Sequence, residues 1–453
     1  MKLGIMGAGY VGLTTAICLA SMKHEISVFD TDDEKIKSIN RKKMPFFEPG
    51  LEELLDVNVS KKNLQGSNDL NALVQNTEGC FVCVGTPTQN NSIDLSQIKC
   101  AMESLVDSIK NNEKKNYAII IRSTIIPNTT REVILPIITK KLKNEQFQLF
   151  VVPEFLREGK ALDDFMNSDK IVIGSIENEK ITFVDDVFKN FKGKCDFIHT
   201  NLESAELIKY TNNSFFSMLI SFSNEIANIS EKIPNVDPFQ VLQALVSDKR
   251  ITTIIDDKKI VPGLNSYLIP GCGFGGSCFP KDMKAIQDFA NLKNIDTPIL
   301  NAILAINAER PKKMVSLCEK ILGNLESKKI TILGLTFKPD TDDIRSSPSL
   351  DAINLFLNKG SIVSAYDPMF KNQTGASILP KNCNHCMTME ESLNDSDAVL
   401  IFTKWPKFES LNSKILKQYM KNPVIIDGRG FLDEKKFDDG TYFKIGYSEQ
   451  FHD

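Results

Sequence analysis

A strand, a glycine-rich turn and an apolar helix follow one another at the start of the chain, and no other feature constrains the fold as strongly. The strand-like segment Lys2–Met6 runs into the turn Gly7-Ala8-Gly9-Tyr10-Val11-Gly12, and a helix-like stretch follows it. In this context the glycines allow a tight turn, close approach of a pyrophosphate and close helix–strand packing. The helix N-terminus attracts the phosphates. The sequence therefore predicts a dinucleotide-binding Rossmann unit, with contacts from Gly7, Gly9, Tyr10, Val11 and Gly12.

An acidic residue closes the second predicted strand and indicates which dinucleotide is bound. The strand 26–29 is followed by Asp30, eighteen residues after Gly12. A carboxylate in this position accepts hydrogen bonds from ribose hydroxyls and would repel a 2′-phosphate. Asp32 and Asp33 add negative charge nearby. We therefore interpret the cofactor as NAD rather than NADP.

Length and composition bound the number of domains, the partners and the compartment. The 453 residues suffice for two or three domains. The net charge of −4 argues against nucleic acid or an acidic membrane as a main partner. The first twenty residues resemble a secretory signal, but four glycines interrupt their apolar run. Ten scattered cysteines suit a reducing compartment. We expect a cytoplasmic protein with no membrane partner.

Apolar strands alternate with helix-like segments in both halves of the chain, which is typical of parallel sheets covered on both faces. We predict strands at 3–6, 26–29, 80–84, 118–122 and 149–152, and again at 329–333, 362–365, 398–402 and 424–426. Asp367 closes a strand as Asp30 does, but the turn after Gly334 lacks the glycine pattern. The predicted fold class is α/β: two Rossmann-like, doubly wound parallel-sheet domains joined by a long central helix. The predicted domains are 1–200 for NAD, 201–320 for the central helix, cysteine loop and dimer interface, and 321–453 for a nucleotide sugar.

The central helix is predicted over 201–232, with apolar residues at roughly helical spacing. Its length of about 45 Å is enough to bridge two domains and to offer a dimer surface. Glu206, Lys209 and Asn213 fall on one side of it. The alternative for these polar residues is an ordinary solvated face.

A second motif, Gly271-Cys272-Gly273-Phe274-Gly275-Gly276-Ser277-Cys278-Phe279-Pro280-Lys281-Asp282, carries the chemistry. Its glycines let backbone approach a ligand closely. If a helix opens at Lys281-Asp282, Cys278 sits near its positive end, where the thiolate is favoured. A carboxylate one turn on could position water against a covalent intermediate. The alternative is a tight turn with a buried, inert cysteine.

Taken together, the motifs resemble those of the UDP-glucose/GDP-mannose dehydrogenase family over nearly the whole chain. Besides the two glycine motifs they include Gly85-Thr86-Pro87-Thr88, Ser123-Thr124 before Pro127, Pro153-Glu154-Phe155-Leu156-Arg157-Glu158-Gly159, Ala205-Glu206-Leu207-Ile208-Lys209, the segment 337–345 and Asp427-Gly428-Arg429. The resemblance implies NAD-dependent, four-electron oxidation of a nucleotide sugar at C6, most closely UDP-glucose to UDP-glucuronate, by a homodimer or higher homo-oligomer. The cysteine would carry a thiohemiacetal and then a thioester. The catalytic residues so implied are Cys278, Lys209, Asp282, Glu154, Asn213 and Thr124.

The resemblance also implies ligand contacts on both sides of the reaction. Cofactor contacts beyond the N-terminal turn would be Asp30, Lys35, Thr86, Thr124, Glu158 and Arg345. Substrate contacts would be Phe155, Leu156, Lys209, Asn213, Tyr267, Leu268, Gly271, Gly275, Phe337, Lys338 and Arg429, with Arg250 reaching into a neighbouring subunit's site.

Two departures from the family pattern leave the sugar open. Val152 stands where the family usually has an asparagine before Pro153, and the segment 251–264 is longer than in compact UDP-glucose enzymes. GDP-mannose and UDP-N-acetylhexosamines are alternative substrates. A two-electron hydroxyacid dehydrogenase and a non-catalytic nucleotide-sugar-binding protein are alternative functions.

Two cysteine patterns are interpreted as structural. Cys383 to Cys386 could be half of a metal site, but no second pair lies close in sequence. No metal is expected. Cys80 and Cys83 fall within a predicted buried strand, which argues against a redox pair.

Overall fold

A computed structural model describes residues 1–89, 92–176, 182–256, 258–370 and 377–446. The chain forms two compact units. The first is Met1–Asn212 with Lys284–Lys293, and the second is Asn213–Met283 with the chain from Asn294 onward. The three-domain division stays a prediction.

The first unit contains a sheet in which eight of the described strands take part. These are β1 Lys2–Met6, β2 Glu25–Phe29, β3 Leu64–Ser67, β4 Gly79–Val82, β7 Tyr117–Ile121, β8 Phe147–Val151, β9 Lys170–Ser175 and β10 Asp196–Asn201, while β5 Thr88–Gln89 and β6 Ser92–Ile93 form a hairpin. The sheet order is β10-β9-β8-β7-β4-β1-β2-β3. Its helices are α1 Tyr10–Ser21, α2 Asp33–Asn40, α3 Leu51–Ser60, α4 Leu70–Asn76, α5 Ser96–Asn111, α6 Leu135–Thr139, α7 Ala161–Met166 and α8 Thr182–Val187.

Alternate residues of the central strands enter two separate apolar cores, so both faces of this sheet are covered. Ala118 and Ile120 of β7 pack in one core, whereas Tyr117, Ile119 and Ile121 pack in the other. This is the doubly wound arrangement predicted from the sequence. One pair departs from the parallel arrangement: β8 pairs antiparallel with β9, a strand that the sequence patterns did not predict.

The strands that sequence inspection missed lie toward the sheet edges. The strand β10 reads Asp-Phe-Ile-His-Thr-Asn, and each of its residues is exposed or half-buried. An edge strand needs no continuous apolar run, so periodicity does not reveal it.

The second unit has its own sheet, formed in the described part of the chain by six parallel strands. These are β13 Lys329–Leu333, β14 Ile362–Tyr366, β15 Cys383–His385, β16 Ala398–Ile401, β17 Ile425–Asp427 and β18 Tyr442–Lys444, in the order β15-β14-β13-β16-β17-β18. Its helices include α10 Pro238–Val246, α12 Pro298–Leu322, α13 Pro348–Asn358, α14 Met389–Leu393 and α15 Ser413–Tyr419. The two α/β sheets confirm the predicted fold class.

Two helices carry the residues of greatest interest. Helix α9, Leu202–Ser230, is the predicted long central helix, and its 29 residues run from the first unit into the second. Helix α11, Phe279–Leu292, begins directly after Cys278. None of the described helices is both long enough and apolar enough to span a bilayer.

The long segment after Arg250 folds into a hairpin of β11 Thr253–Ile255 and β12 Lys258–Ile260, which pair antiparallel. A short 3₁₀ turn, Gly263–Tyr267, follows it. No strand or helix was predicted in this segment.

Candidate functional site

The turn between β1 and α1 has the space and the donors that a dinucleotide needs. A Cβ on Gly12 would lie 1.9 Å from the carbonyl oxygen of Gly7, so only glycine allows this close helix–strand contact. A Cβ on Gly9 would meet nothing within 4 Å, which leaves room above the helix N-terminus. Asp30 lies at the end of β2, where Ala8 N–H donates to its Oδ2 at 2.6 Å. Lys35 forms an ion pair with Asp30 at 3.7 Å. The turn therefore fits a dinucleotide.

Tyr10 has a structural role that the sequence did not reveal. Its hydroxyl donates to Glu48 Oε2 at 2.6 Å. Glu48 is buried and also accepts hydrogen bonds from the N–H groups of Gly159 and Ala161, both at 2.7 Å. The dinucleotide turn is thereby tied to the loop that carries Glu158, which is itself buried.

Thr86 and Thr124 are brought together beyond the carboxyl ends of β4 and β7. The Thr86 hydroxyl donates to the Thr124 carbonyl at 2.6 Å. The Ser123 hydroxyl donates to the Val84 carbonyl at 2.7 Å and fastens the same two loops. Ligands of open α/β sheets bind outside the carboxyl ends of the strands, which is where both threonines lie.

Glu154 and Lys209 form a buried ion pair in the first unit. Lys209 Nζ lies 2.9 Å from Glu154 Oε1, and the two side chains are only 5% and 4% exposed. Leu156 N–H donates to the other carboxylate oxygen at 2.6 Å. Burial acts to raise the pKa of Glu154, but the charge and hydrogen bond of Lys209 and the Leu156 N–H outweigh it, and the net pKa is lowered. The ring of Phe155 lies 5.6 Å from Lys209 Nζ. Glu154 is therefore an ionised carboxylate in a protected place.

Glu206 is buried and binds the backbone of a neighbouring loop, so it does not lie on a solvated helix face. Its carboxylate accepts the N–H groups of Asn128 at 2.7 Å and Thr130 at 2.8 Å, and burial raises its pKa to about 7. It holds the loop that follows Thr124. Sequence inspection placed Glu206 on the right helix side but could not show which loop packs there.

The two cysteines of the glycine-rich motif lie in different environments. Cys272 is fully buried, and burial raises its pKa to about 11. Cys278 is half-exposed and immediately precedes the first residue of α11, with the Ser277 hydroxyl 3.5 Å from its sulfur. Asp282 N–H donates to the Cys278 carbonyl at 2.8 Å, as in the first turn of a helix. Cys272 is thus the inert cysteine of the motif and Cys278 the accessible one.

Asp282 is the carboxylate that the motif places one turn beyond Cys278. It is 1% exposed, and Lys281 Nζ lies 2.6 Å from its Oδ1. Asn213 Nδ2 donates to its Oδ2 at 2.7 Å. Asn213 lies one helical turn after Lys209 on α9, so the two predicted residues share a side of that helix.

Arg429 and Phe337 lie against the cysteine motif in the second unit. Arg429 Nε donates to the Phe402 carbonyl at 2.6 Å, and its Nη1 lies 3.5 Å from the Gly273 carbonyl oxygen. A Cβ on Gly275 would come within 2.4 Å of the Ser346 carbonyl oxygen and 3.0 Å of Phe337 Cβ. These contacts join predicted substrate residues from distant parts of the sequence.

The other predicted ligand residues contact neighbours close to them in space. The Tyr267 ring packs on Phe216 with centroids 4.5 Å apart, next to the buried Leu268. Lys338 lies over the Phe337 ring at 5.2 Å. Exposed Arg250 pairs with Asp248, and Arg345 pairs with Asp343. The roles of Arg250 and Arg345 in ligand binding stay predictions.

The second sheet repeats the strand-end aspartate but uses it structurally. Asp367 is fully buried, and its Oδ2 accepts the N–H groups of Leu335 and Thr336 and the Trp405 indole N–H. The same carboxylate also accepts the Met369 N–H. Both carboxylate oxygens of Asp367 therefore serve to hold the loops around the end of β14.

The cysteines of the two remaining patterns, Cys80 with Cys83 and Cys383 with Cys386, are free thiols. Cys80 and Cys83 are buried, although β4 ends at Val82, so the prediction that Cys83 lies inside the strand was wrong. In the part of the chain that the structure describes, no group of three or more His, Cys, Asp or Glu side chains is placed to hold a metal.

Comparison with known proteins identifies the family. Residues 1–192, 203–309 and 331–434 match the NAD binding, central and UDP binding domains of the UDP-glucose/GDP-mannose dehydrogenase family. UDP-glucose 6-dehydrogenase TuaD of Bacillus subtilis (strain 168) is 33% identical over 449 residues, which are 98% of this chain and 93% of that protein.

Two solved structures are similar as well. A UDP-glucose dehydrogenase from the hyperthermophilic archaeon Pyrobaculum islandicum has a TM-score of 0.88 and 30% identity, covering 99% of this chain and 98% of that one. The UDP-D-ManNAc dehydrogenase of Pyrococcus horikoshii has a TM-score of 0.82 and 25% identity, covering 98% and 99%. The predicted family is confirmed: this chain belongs to the UDP-glucose/GDP-mannose dehydrogenase family.

Proposed function

We propose that this chain oxidises the C6 alcohol of UDP-glucose to the carboxylate of UDP-glucuronate in two NAD-dependent steps. The observation that carries the proposal is the half-exposed Cys278 thiol at the start of α11, in a turn whose carboxylate, Asp282, is buried and bound by Asn213. The N-terminus of α11 favours the thiolate of Cys278, which is the nucleophilic form.

The first oxidation converts the alcohol to an aldehyde, with loss of a hydride and a proton. The Cys278 thiolate then adds to the aldehyde carbon, and the oxygen takes up a proton to give a thiohemiacetal. The second loss of hydride and proton yields a thioester. Water cleaves the C–S bond, giving the carboxylate and returning the thiolate. Covalent capture on Cys278 keeps the aldehyde from leaving.

The polar residues of α9 and their partners supply charge stabilisation and proton transfer. Lys209 and Asn213 donate to the reacting oxygen as negative charge develops on it. Glu154, an ionised carboxylate with a lowered pKa, accepts a proton from the water that cleaves the thioester. Asp282 orients that water, and Thr124 relays protons.

The N-terminal turn, with Asp30, Lys35, Thr86, Glu158 and Arg345, is proposed to hold NAD. When bound, NAD⁺ accepts the hydride of each oxidation, two molecules per sugar. Asp30 would accept hydrogen bonds from the ribose hydroxyls while its bond with the Ala8 N–H keeps the turn in place.

Replacing Asp30 should change cofactor choice. Asp30→Asn keeps an acceptor for the Ala8 N–H but removes the charge, so we expect weaker NAD⁺ binding by roughly tenfold and a smaller preference over NADP⁺. Glu34→Ala, on the exposed side of α2, is the matched control and should leave both affinities unchanged. Titration of each dinucleotide by calorimetry measures the effect. Unaltered NAD⁺ affinity in Asp30→Asn would place the ribose elsewhere.

The substrate assignment rests on the family and on the relatives that are themselves named for UDP-glucose. Arg429, Lys338 and Phe337 are proposed to contact the nucleotide diphosphate and sugar, since charged donors suit phosphate. The remaining proposed contacts are Phe155, Leu156, Tyr267, Leu268, Gly271 and Gly275. The similar UDP-D-ManNAc dehydrogenase makes an N-acetylated sugar the second candidate.

Counting reduced cofactor tests the reaction directly. With UDP-glucose, we expect two NADH per sugar consumed and no released aldehyde. One NADH per sugar with aldehyde in solution would contradict the covalent mechanism and favour a two-electron dehydrogenase.

A panel of UDP-glucose, UDP-galactose, UDP-N-acetylhexosamines and GDP-mannose, ranked by kcat/KM, tests which sugar is the substrate. A preference for another sugar would overturn UDP-glucose alone, whereas tight UDP-sugar binding without any turnover would indicate a binding protein.

We further propose a homodimer in the cytoplasm. Phe215, Phe222 and Ile229 of α9 are exposed large apolar residues spaced by seven, so they form one stripe along the helix. A second copy of the chain would cover this stripe, and Arg250 would reach the neighbouring site. The ten cysteines are all thiols rather than disulfides, which supports a reducing compartment.

A further inference from the structure

The 271–274 turn leads into the Cys278 segment. Side chains from two helices bind the backbone of its first residue, Gly271. Gly271 N–H donates to Asn224 Oδ1 at 2.8 Å. The Gly271 carbonyl accepts from Arg310 Nε at 2.8 Å. Both backbone polar groups of Gly271 are thus bound by side chains of two different helices, α9 and α12.

The last residue of the turn is held by a single amide from α12. Phe274 N–H donates to Asn307 Oδ1 at 2.8 Å, and the Phe274 carbonyl accepts from Asn307 Nδ2 at 3.0 Å. The same amide lies directly against Gly273, where a Cβ would come 2.8 Å from Asn307 Oδ1. Gly273 has φ +101°, a conformation that favours glycine. Asn307 therefore fixes both the position and the shape of the turn.

Arg310 is an unusual group to find in such a place. Its side chain is fully buried, and burial lowers its pKa although the guanidinium stays charged. Its hydrogen bonds run to neutral oxygens, the Gly271 carbonyl and the Asn228 amide oxygen at 2.7 Å. Burying a guanidinium is costly even when it is hydrogen-bonded. In return, its rigid fork connects α9, α12 and the turn at fixed angles.

The next two residues of the motif, Gly275 and Gly276, contact the loop before α13. Gly276 N–H donates to the Arg345 carbonyl at 2.8 Å, and Gly275 packs against Ser346. Because Asn307 and Arg310 also bind the 271–274 turn, the few residues before Cys278 have little freedom to shift.

We propose that Asn307 and Arg310 are positioning residues for Cys278, which clamp the two ends of the 271–274 turn and so set where the thiol stands at the start of α11. This inference rests on the proposed role of Cys278. Misplacement of a reacting group by about 1 Å can cost about a hundredfold in rate.

Asn307→Ala is the main test, with Asn307→Asp and Arg310→Lys as graded variants. The aspartate keeps the acceptor for Phe274 N–H and repels its carbonyl, while the lysine keeps the charge and loses the fork. The control is Lys312→Ala, which removes an exposed ion pair with Glu309 on the same helix. Each protein is assayed for kcat and KM, and for the rate at which iodoacetamide alkylates Cys278, measured by peptide mass spectrometry. Exposed Cys100 is the internal standard.

We expect Asn307→Ala to lower kcat by roughly a hundredfold, with a smaller change in KM, and to alter the Cys278/Cys100 alkylation ratio severalfold. Arg310→Lys should lie between Asn307→Ala and the unsubstituted protein, and Lys312→Ala should match the latter. Should Asn307→Ala not fold, Asn307→Asp takes its place with the same readouts. A folded variant that melts at a lower temperature but keeps kcat and the alkylation ratio would overturn the inference, because the contact would then be structural only. Absence of turnover in the unsubstituted protein would instead contradict the proposed function, and the alkylation ratio would still test the clamp.

Discussion

Cys278→Ser should bind UDP-glucose and NAD⁺ as tightly as the unsubstituted protein and yet produce the sugar acid at least roughly a thousandfold more slowly. A serine hydroxyl has almost the same size, but at neutral pH it is not ionised and is a far weaker nucleophile than a thiolate. The site would stay formed, since the packing around Gly275 and Asp282 does not depend on the sulfur. Binding is measured by calorimetry, and UDP-glucuronate by chromatography.

Two other cysteines make this experiment specific. Cys100 is exposed in α5, so Cys100→Ser should leave activity unchanged. Any effect of Cys272→Ser should come from altered packing and not from lost chemistry, because the buried Cys272 sulfur lies 3.3 Å from the Gly428 carbonyl oxygen. Normal formation of UDP-glucuronate by Cys278→Ser would remove this residue from the mechanism.

Breaking the Lys209–Glu154 pair should damage stability and activity together. Lys209→Met leaves the Glu154 carboxylate buried without its ammonium partner, which costs about 3–5 kcal/mol. In a unit of this size the midpoint of thermal unfolding should fall by roughly 10 °C. Turnover should be lost as well, since the proposed donor to the reacting oxygen is gone.

A double variant separates these two effects. Lys209→Met combined with Glu154→Gln removes both charges, so most of the lost stability should return while activity stays absent. Lys141→Met, which breaks the surface pair with Asp107, should cost less than about 1 kcal/mol and spare activity. Calorimetric unfolding and steady-state kinetics give both quantities. Recovery of turnover in the double variant would contradict the proposed chemical roles of both Lys209 and Glu154.

Predictions from the sequence were most accurate where residue type and local order decide the structure. The strand–turn–helix at Gly7–Gly12 followed from its glycines, and the central helix from its apolar spacing, because both patterns report on neighbours along the chain. They were least accurate for the edge strands and for the antiparallel pairing of β8 with β9, which depend on contacts between segments far apart in sequence.

The same division holds within the candidate site. The sequence alone determined the family motifs, the cofactor turn with Asp30 and the position of Asp282 one helical turn after Cys278. Only the tertiary structure decided that Glu154 meets Lys209, that Glu48 binds Tyr10 and that Asn307 and Arg310 hold the cysteine turn. The residues of these pairs are between 33 and 55 positions apart. Their partners are set by which helix faces pack together, and a buried polar group is bound to whatever complementary group that packing brings within reach.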